Sequence, residues 1–148
     1  MNYQEDSVIV LDCFGVLITK GTSSEQLFQY CFRKNIELLD YLKHLHTQEV
    51  KLSILSNTDR KTLRKYFTNE ELDLFDSIFI SQETKKYKPS IDAFLQVQEF
   101  YPNYKIVLLD DLKDNITVAN SLGIYSILYQ NNNQAIKDID SLCQSFQK

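Results

Sequence analysis

No stretch of this sequence approaches the ~18 consecutive apolar residues that a membrane-spanning helix needs. Nor is there a surplus of base: 16 Lys and Arg stand against 20 Asp and Glu, a formal net charge of -4. Binding a nucleic-acid backbone requires clustered cations, so no nucleic-acid partner is expected. Cysteine is scarce. Cys13, Cys31 and Cys143 are odd in number and lack metal-ligand spacing, which reads as free thiols in a reducing compartment. The opening MNYQEDS carries acid where a secretory signal carries base, so the expectation is a cytoplasmic protein without membrane association. With 3 Gly and 2 Pro the chain shows no repeat and no linker, and 148 residues suit one domain, 1–148.

What is present is alternation. SVIVLD (7–12), VKLSIL (50–55), SIFI (77–80), KIVLLD (105–110) and IYSIL (124–128) read as five strands. The first and fourth are nearly unbroken Val, Ile and Leu, as in parallel strands covered on both faces. Helical spacing lies between and after them. Ile36, Leu39, Leu42 and Leu45 form one stripe, and Ile91, Phe94, Leu95 and Phe100 a second. Ile136, Ile139, Leu142 and Phe146 form a third, behind the polar start Asn131–Asn133. This alternation predicts an α/β fold: a doubly wound three-layer sandwich around a mostly parallel five-stranded sheet.

Ligands in such sheets bind beyond the carboxyl ends of the strands, where strand order reverses. Asp12 ends the first strand, Ser56 and Asn57 follow the second, and Asp110 and Asp111 end the fourth. Three carboxylates in one crevice repel unless a proton or cation intervenes, and a hard divalent ion with oxygen ligands, Mg²⁺ foremost, suits them. Singly, each residue has a plainer use. A strand-terminal Asp caps a turn, Ser-Asn is turn chemistry, and Lys88-Pro89 leads into a helix.

Together, and in this order, they resemble the four motifs of the haloacid-dehalogenase-like superfamily. VIVLDCFGVL is similar to the first, KLSILSNT to the second, KKYKPSIDAF to the third and VLLDDLKDNITVANSLGI to the fourth. The resemblance runs from about residue 6 to 130 and implies the strand order 5-4-1-2-3, counting the five strands above. It implies Asp12 as a nucleophile that forms an aspartyl phosphate, with Ser56 and Lys88 as its catalytic companions. Ser56, Asn57 and Lys88 would bind phosphate; Asp12, the backbone carbonyl of Phe14 and Asp111 would hold Mg²⁺. Asp110, Asp114 and Asn115 would orient the loop that carries Asp111.

Two departures qualify that picture. Many phosphatases of the superfamily carry an acid–base Asp two residues after the nucleophile, and here that residue is Phe14. General acid–base catalysis is worth ~10²–10⁴ in rate, so a slow phosphatase or phosphotransferase is expected, acting on phosphate monoesters or acyl phosphates whose leaving groups need little protonation. The alternative is a catalytically silent binding or regulatory module on the same fold. The second departure is size. The stretch 18–34 leaves about seventeen residues where larger relatives insert a cap domain, so the chain reads as capless or nearly so. A phosphorylated substrate large enough to cover the site, macromolecular in the extreme, or a second copy of the chain would then have to exclude water.

Within that remnant, Leu27, Phe28, Cys31 and Phe32 make a helical stripe expected to pack on the sheet, a lid or subunit contact being the other reading. His44 and His46 point to different helix faces and cannot share a metal. Cys13 should turn away from Asp12 into the core. An aromatic at position 14 is also found in the dehalogenase branch, as Tyr, but a metal-free dehalogenase has no use for Asp110 and Asp111. Incubation with 2-chloropropionate should therefore release no chloride, measured against a phosphate-ester control.

Overall fold

The computed structural model describes residues 6–20 and 32–147. Five parallel strands form the central sheet: β1 (Ser7–Leu11), β4 (Lys51–Ser56), β5 (Ser77–Ile80), β6 (Lys105–Asp110) and β7 (Tyr125–Leu128). Their order is β5-β4-β1-β6-β7, the one the motifs imply. In β1 every residue is buried, because helices cover both faces. Ile9 and Leu11 enter one core, with Leu38 and Leu42 from helix α1 (Ile36–Thr47) and Ile139 from α7 (Asn132–Ser145). Val8 and Val10 enter the other, with Phe94 from α5 (Ile91–Phe100) and Ala119 from α6 (Lys113–Ser121). The chain leaves β1 for β4 on one side and later returns to pair β6 on the other. Strand order thus reverses at β1, and the crevice opens beyond its carboxyl end. Among the described residues no helix is long and apolar enough to cross a membrane.

The predicted helix faces need adjustment. In α1, Leu38 joins Leu39, Leu42 and Leu45 inside, whereas Ile36 is 53% exposed at the first turn. In α5 the buried set is Ala93, Phe94 and Val97, while Ile91, Leu95 and Phe100 face outward. Ala93, with no bulk beyond Cβ, lets that side approach the sheet, and Phe100 instead packs edge-on against Phe79 and Tyr101. In α7, Ile139 is buried and Ile136 and Leu142 partly so, with Asn131 capping the helix by accepting from the Gln134 N–H.

Short elements escape periodicity. Helix α2 (Arg60–Tyr66) buries a single residue, Leu63, and α4 (Ser81–Thr84) is one turn. Helix α3 (Asn69–Asp73) carries a capping box between Thr68 and Glu71, a signal visible in the sequence. After β1, β2 (Ile18–Lys20) pairs antiparallel with β3 (Phe32–Lys34). Phe32 thus lies on a strand, not on the predicted helix. Its ring meets Phe14 edge-on at 5.3 Å, and Lys34 two residues on holds Glu71 of α3 at 2.8 Å. Leu27, Phe28 and Cys31, with the rest of 21–31, lie outside the described residues.

One buried amide ties this hairpin to the loop after β1 and to the start of α7. Asn35, which caps α1, donates from Nδ2 to Val16 O at 2.9 Å and to Asn132 Oδ1 at 2.8 Å. Its Oδ1 accepts from Asn132 Nδ2 at 2.8 Å and from the Leu38 N–H at 3.3 Å. Asn35→Ala removes a helix cap and strands buried partners, so urea denaturation should show a loss of about 2 kcal/mol or more.

Candidate active site

Three of the five strand ends supply the candidate residues. Asp12 follows β1, Ser56 ends β4, and Asp110 ends β6 with Asp111 beyond it. Lys88, from the segment before α5, completes the group. Only 6% exposed, it places its ammonium 3.1 Å from Asp12 Oδ1 and 2.7 Å from Asp110 Oδ2. Burial acts to lower the Lys88 pKa, but the charges of Asp12 and Asp110 outweigh it and hold the ammonium above its ordinary value. Asp12 moves the other way: burial pushes its carboxyl up to about 6, against the opposing pull of Lys88 and with the repulsion of Asp110 added.

Asp110 is fully used by its neighbours. Besides Lys88 it accepts from Asn115 Nδ2, at 3.1 Å on Oδ1 and 3.0 Å on Oδ2, and from the Leu112 N–H at 2.9 Å. These bonds join Asp110 and Asn115 to the start of the segment that carries Asp111. Asp114 instead stands exposed in the first turn of α6, where its charge suits the helix dipole.

Asp12, Asp110 and Asp111 bring carboxylate oxygens within 4.8 Å of one another, a cluster able to hold a metal ion. With Asp110 committed, Asp12 and Asp111 remain as donors. Asp111 Oδ1 is buried and has no hydrogen-bond partner, which a native carboxylate rarely tolerates unless something outside the protein satisfies it. A divalent cation with oxygen preference fits that orphaned atom. The backbone leaves room for it. Gly15 has φ +95°, and a Cβ added there would fall 2.7 Å from Asp111 Oδ1 and closer still to Oδ2. Only glycine serves at that position. Partial burial and the charge of Asp110 also raise the Asp111 pKa, as for two carboxylates awaiting a cation.

Ser56 is buried, its hydroxyl within hydrogen-bonding reach of the Cys13 thiol. Cys13 lies in the core, and burial together with the Asp12 charge pushes its thiol up to about 12, leaving no nucleophile. The Asn57 side chain is turned toward Lys88. Its Oδ1 accepts from the Lys88 N–H and its Nδ2 donates to Lys88 O, both at 2.9 Å, so both polar atoms are engaged on the lysine's main chain. Phe14, half-buried, packs edge-on against Phe32 at 5.3 Å and Tyr66 at 5.8 Å. This trio seats β3 against α2. His44 and His46, both exposed, take no part. Not foreseen from the sequence were the parts played by Gly15 and Tyr66, Phe32 as the partner of Phe14, and the Asn57 contact with Lys88; for Gly15 the glycine of the first motif was the available signal.

A model of the haloacid dehalogenase-like hydrolase family matches residues 20–129. The chain belongs to that family. The match begins after Asp12, so the place of Asp12 rests on the geometry above. Among solved structures, this haloacid dehalogenase-like (HAD) chain is similar to an uncharacterized protein from Corynebacterium glutamicum. The two share 23% identity over 94% of this chain and 96% of that one, with a TM-score of 0.71. A predicted HAD-like family hydrolase from Porphyromonas gingivalis gives 20% identity, 94% and 98% coverage and a TM-score of 0.72. A HAD family enzyme from Bacteroides thetaiotaomicron, in complex with magnesium and inorganic phosphate, gives 19% identity, 84% and 94% coverage and a TM-score of 0.67. At these identities the likeness shows the fold.

The raised carboxyls set a sign for the pH dependence of the metal-free HAD domain. Asp12 binds its proton more tightly folded, at about 6, than at the ordinary 3.8, so the folded state takes up protons first. Asp111 adds in the same direction, and Lys88 stays charged throughout. Stability in EDTA should therefore rise between about pH 7 and pH 5, above the range where lowered carboxylates such as Glu71 protonate. Denaturant melts at the two pH values check this; a fall over that interval contradicts the burial assigned to Asp12.

Proposed function

We propose that this HAD-family hydrolase is a Mg²⁺-dependent phosphohydrolase that works through phosphorylation of Asp12. The carrying observation is the Lys88 ammonium locked between Asp12 and Asp110 beside an Asp111 oxygen that lacks any partner. Asp12, the backbone carbonyl of Phe14 and Asp111 would hold Mg²⁺, which would supply charge neutralisation at the transferring group. Asp12 attacks phosphorus, and the bond to the leaving oxygen breaks. Lys88 keeps Asp12 in its charged form and neutralises the phosphoryl oxygens, while Ser56 donates its hydroxyl to one of them. Water then attacks the aspartyl phosphate and frees inorganic phosphate.

Phe14 shapes the rate. Its ring carries no proton, and edge-on contacts with Phe32 and Tyr66 hold it in place. The leaving group must depart without a donated proton, which favours acyl phosphates over alkyl esters. With a minimal cap, the substrate itself covers the crevice and keeps water out. A silent scaffold is the weaker reading, since three buried charges cost stability with no function to offset them.

The test is phosphate release from acetyl phosphate and an alkyl phosphate, with Mg²⁺ or EDTA, for wild type and Asp12→Asn. Release should need both Mg²⁺ and Asp12, and acetyl phosphate should be turned over at least ~10²-fold faster. Activity that ignores EDTA and Asp12→Asn rejects the mechanism. Equal, fast rates on both substrates reject the role given to Phe14.

A further inference from the structure

We propose that Asn57 is a positioning residue that sets where the Lys88 ammonium lands, an inference that rests on the phosphohydrolase reading for its catalytic consequence. A lysine side chain has four rotatable bonds, so its charge is placed only as well as its own backbone is held. The segment around Lys88 has little of its own to hold it. Lys86 N–H donates to Thr84 Oγ1 and Ser90 N–H to Tyr87 O, bonds that flank Lys88 without touching it. Pro89 contributes no N–H at all. Asn57 supplies the missing grip, accepting from the Lys88 N–H and donating to Lys88 O, each at 2.9 Å. One amide thus does for a single residue what a neighbouring strand does for many.

The location of that amide matters. Asn57 directly follows Ser56 at the end of β4, and β4 pairs with β1 in register, Ile54 beside Leu11. The clamp therefore references Lys88 to the two strand ends that carry Asp12 and Ser56. Residue type matters too. Aspartate would keep the acceptor but face Lys88 O with a second oxygen, and glutamine would displace the amide by a methylene. Stability is a poor alternative explanation. Asn57 is exposed as a whole, so water could satisfy its polar atoms, and an exposed substitution ordinarily changes folding little.

Two measurements test this. In solution, Asn57→Ala and Asn57→Gln should lower kcat on acetyl phosphate by about 10–100-fold, with KM changed less than about threefold. In a Lys88→Ala background, Asn57→Ala should cost less than about twofold more, because its effect has no lysine left to pass through. Equal losses in both backgrounds overturn the proposal. In crystals of Asn57→Ala and Asn57→Gln, the ammonium should leave its positions 3.1 Å from Asp12 and 2.7 Å from Asp110. An ammonium that stays there overturns the proposal, whatever the kinetics. If the wild type releases phosphate from no substrate, the phosphohydrolase reading falls, and the crystal arm alone decides whether Asn57 is the clamp.

Discussion

A buried cation shared by two carboxylates organises this molecule. Lys88 comes from a loop, Asp12 from the central strand and Asp110 from its neighbour, and their only common ground is the space beyond the strand ends. Desolvating three charges costs several kcal/mol each unless geometry and further hydrogen bonds offset it. The protein meets that demand on Asp110 with Asn115 and the Leu112 N–H. It leaves the demand unmet on Asp111, whose inner oxygen has no partner. The imbalance separates the carboxylate that builds the site from the carboxylate that waits for a ligand.

Around this centre, the parallel sheet acts as a ruler. Each strand alternates between two cores, and the alternation sends Cys13 inward where Asp12 points to the crevice. Gly15 then turns the chain in a conformation open to glycine, bringing backbone against the Asp111 carboxylate. Phe14, between them, faces away into an aromatic trio. Three consecutive residues after Asp12 thus have three separate duties, and none of them carries a side chain suited to moving a proton.

Much of this was legible beforehand, for physical reasons. Unbroken runs such as VIVL and IVLL, short and rich in β-branched residues, suit strands covered on both sides, and the sheet and its order followed from them and from the motifs. Asp12, Asp110 and Asp111 were visible because chemistry at strand ends has few plainer uses in combination. Periodicity failed where helices are too short to display it, as in α2 with Leu63 as its one buried residue. It failed again where a small residue decides the contact, as Ala93 does in α5. The use of Asn57 was hidden for another reason: a partner 31 positions away cannot be inferred from a turn-forming dipeptide.

The bonds of Asn35 to Val16 and Asn132 join the loop that follows Asp12 to the first turn of α7. Chain order puts these segments at opposite extremes, yet a single amide makes them neighbours in mechanical terms. Any change that loosens the C-terminal helix is thereby transmitted to the base of the hairpin beside the crevice. Helix α7 is thus part of the frame of the doorway.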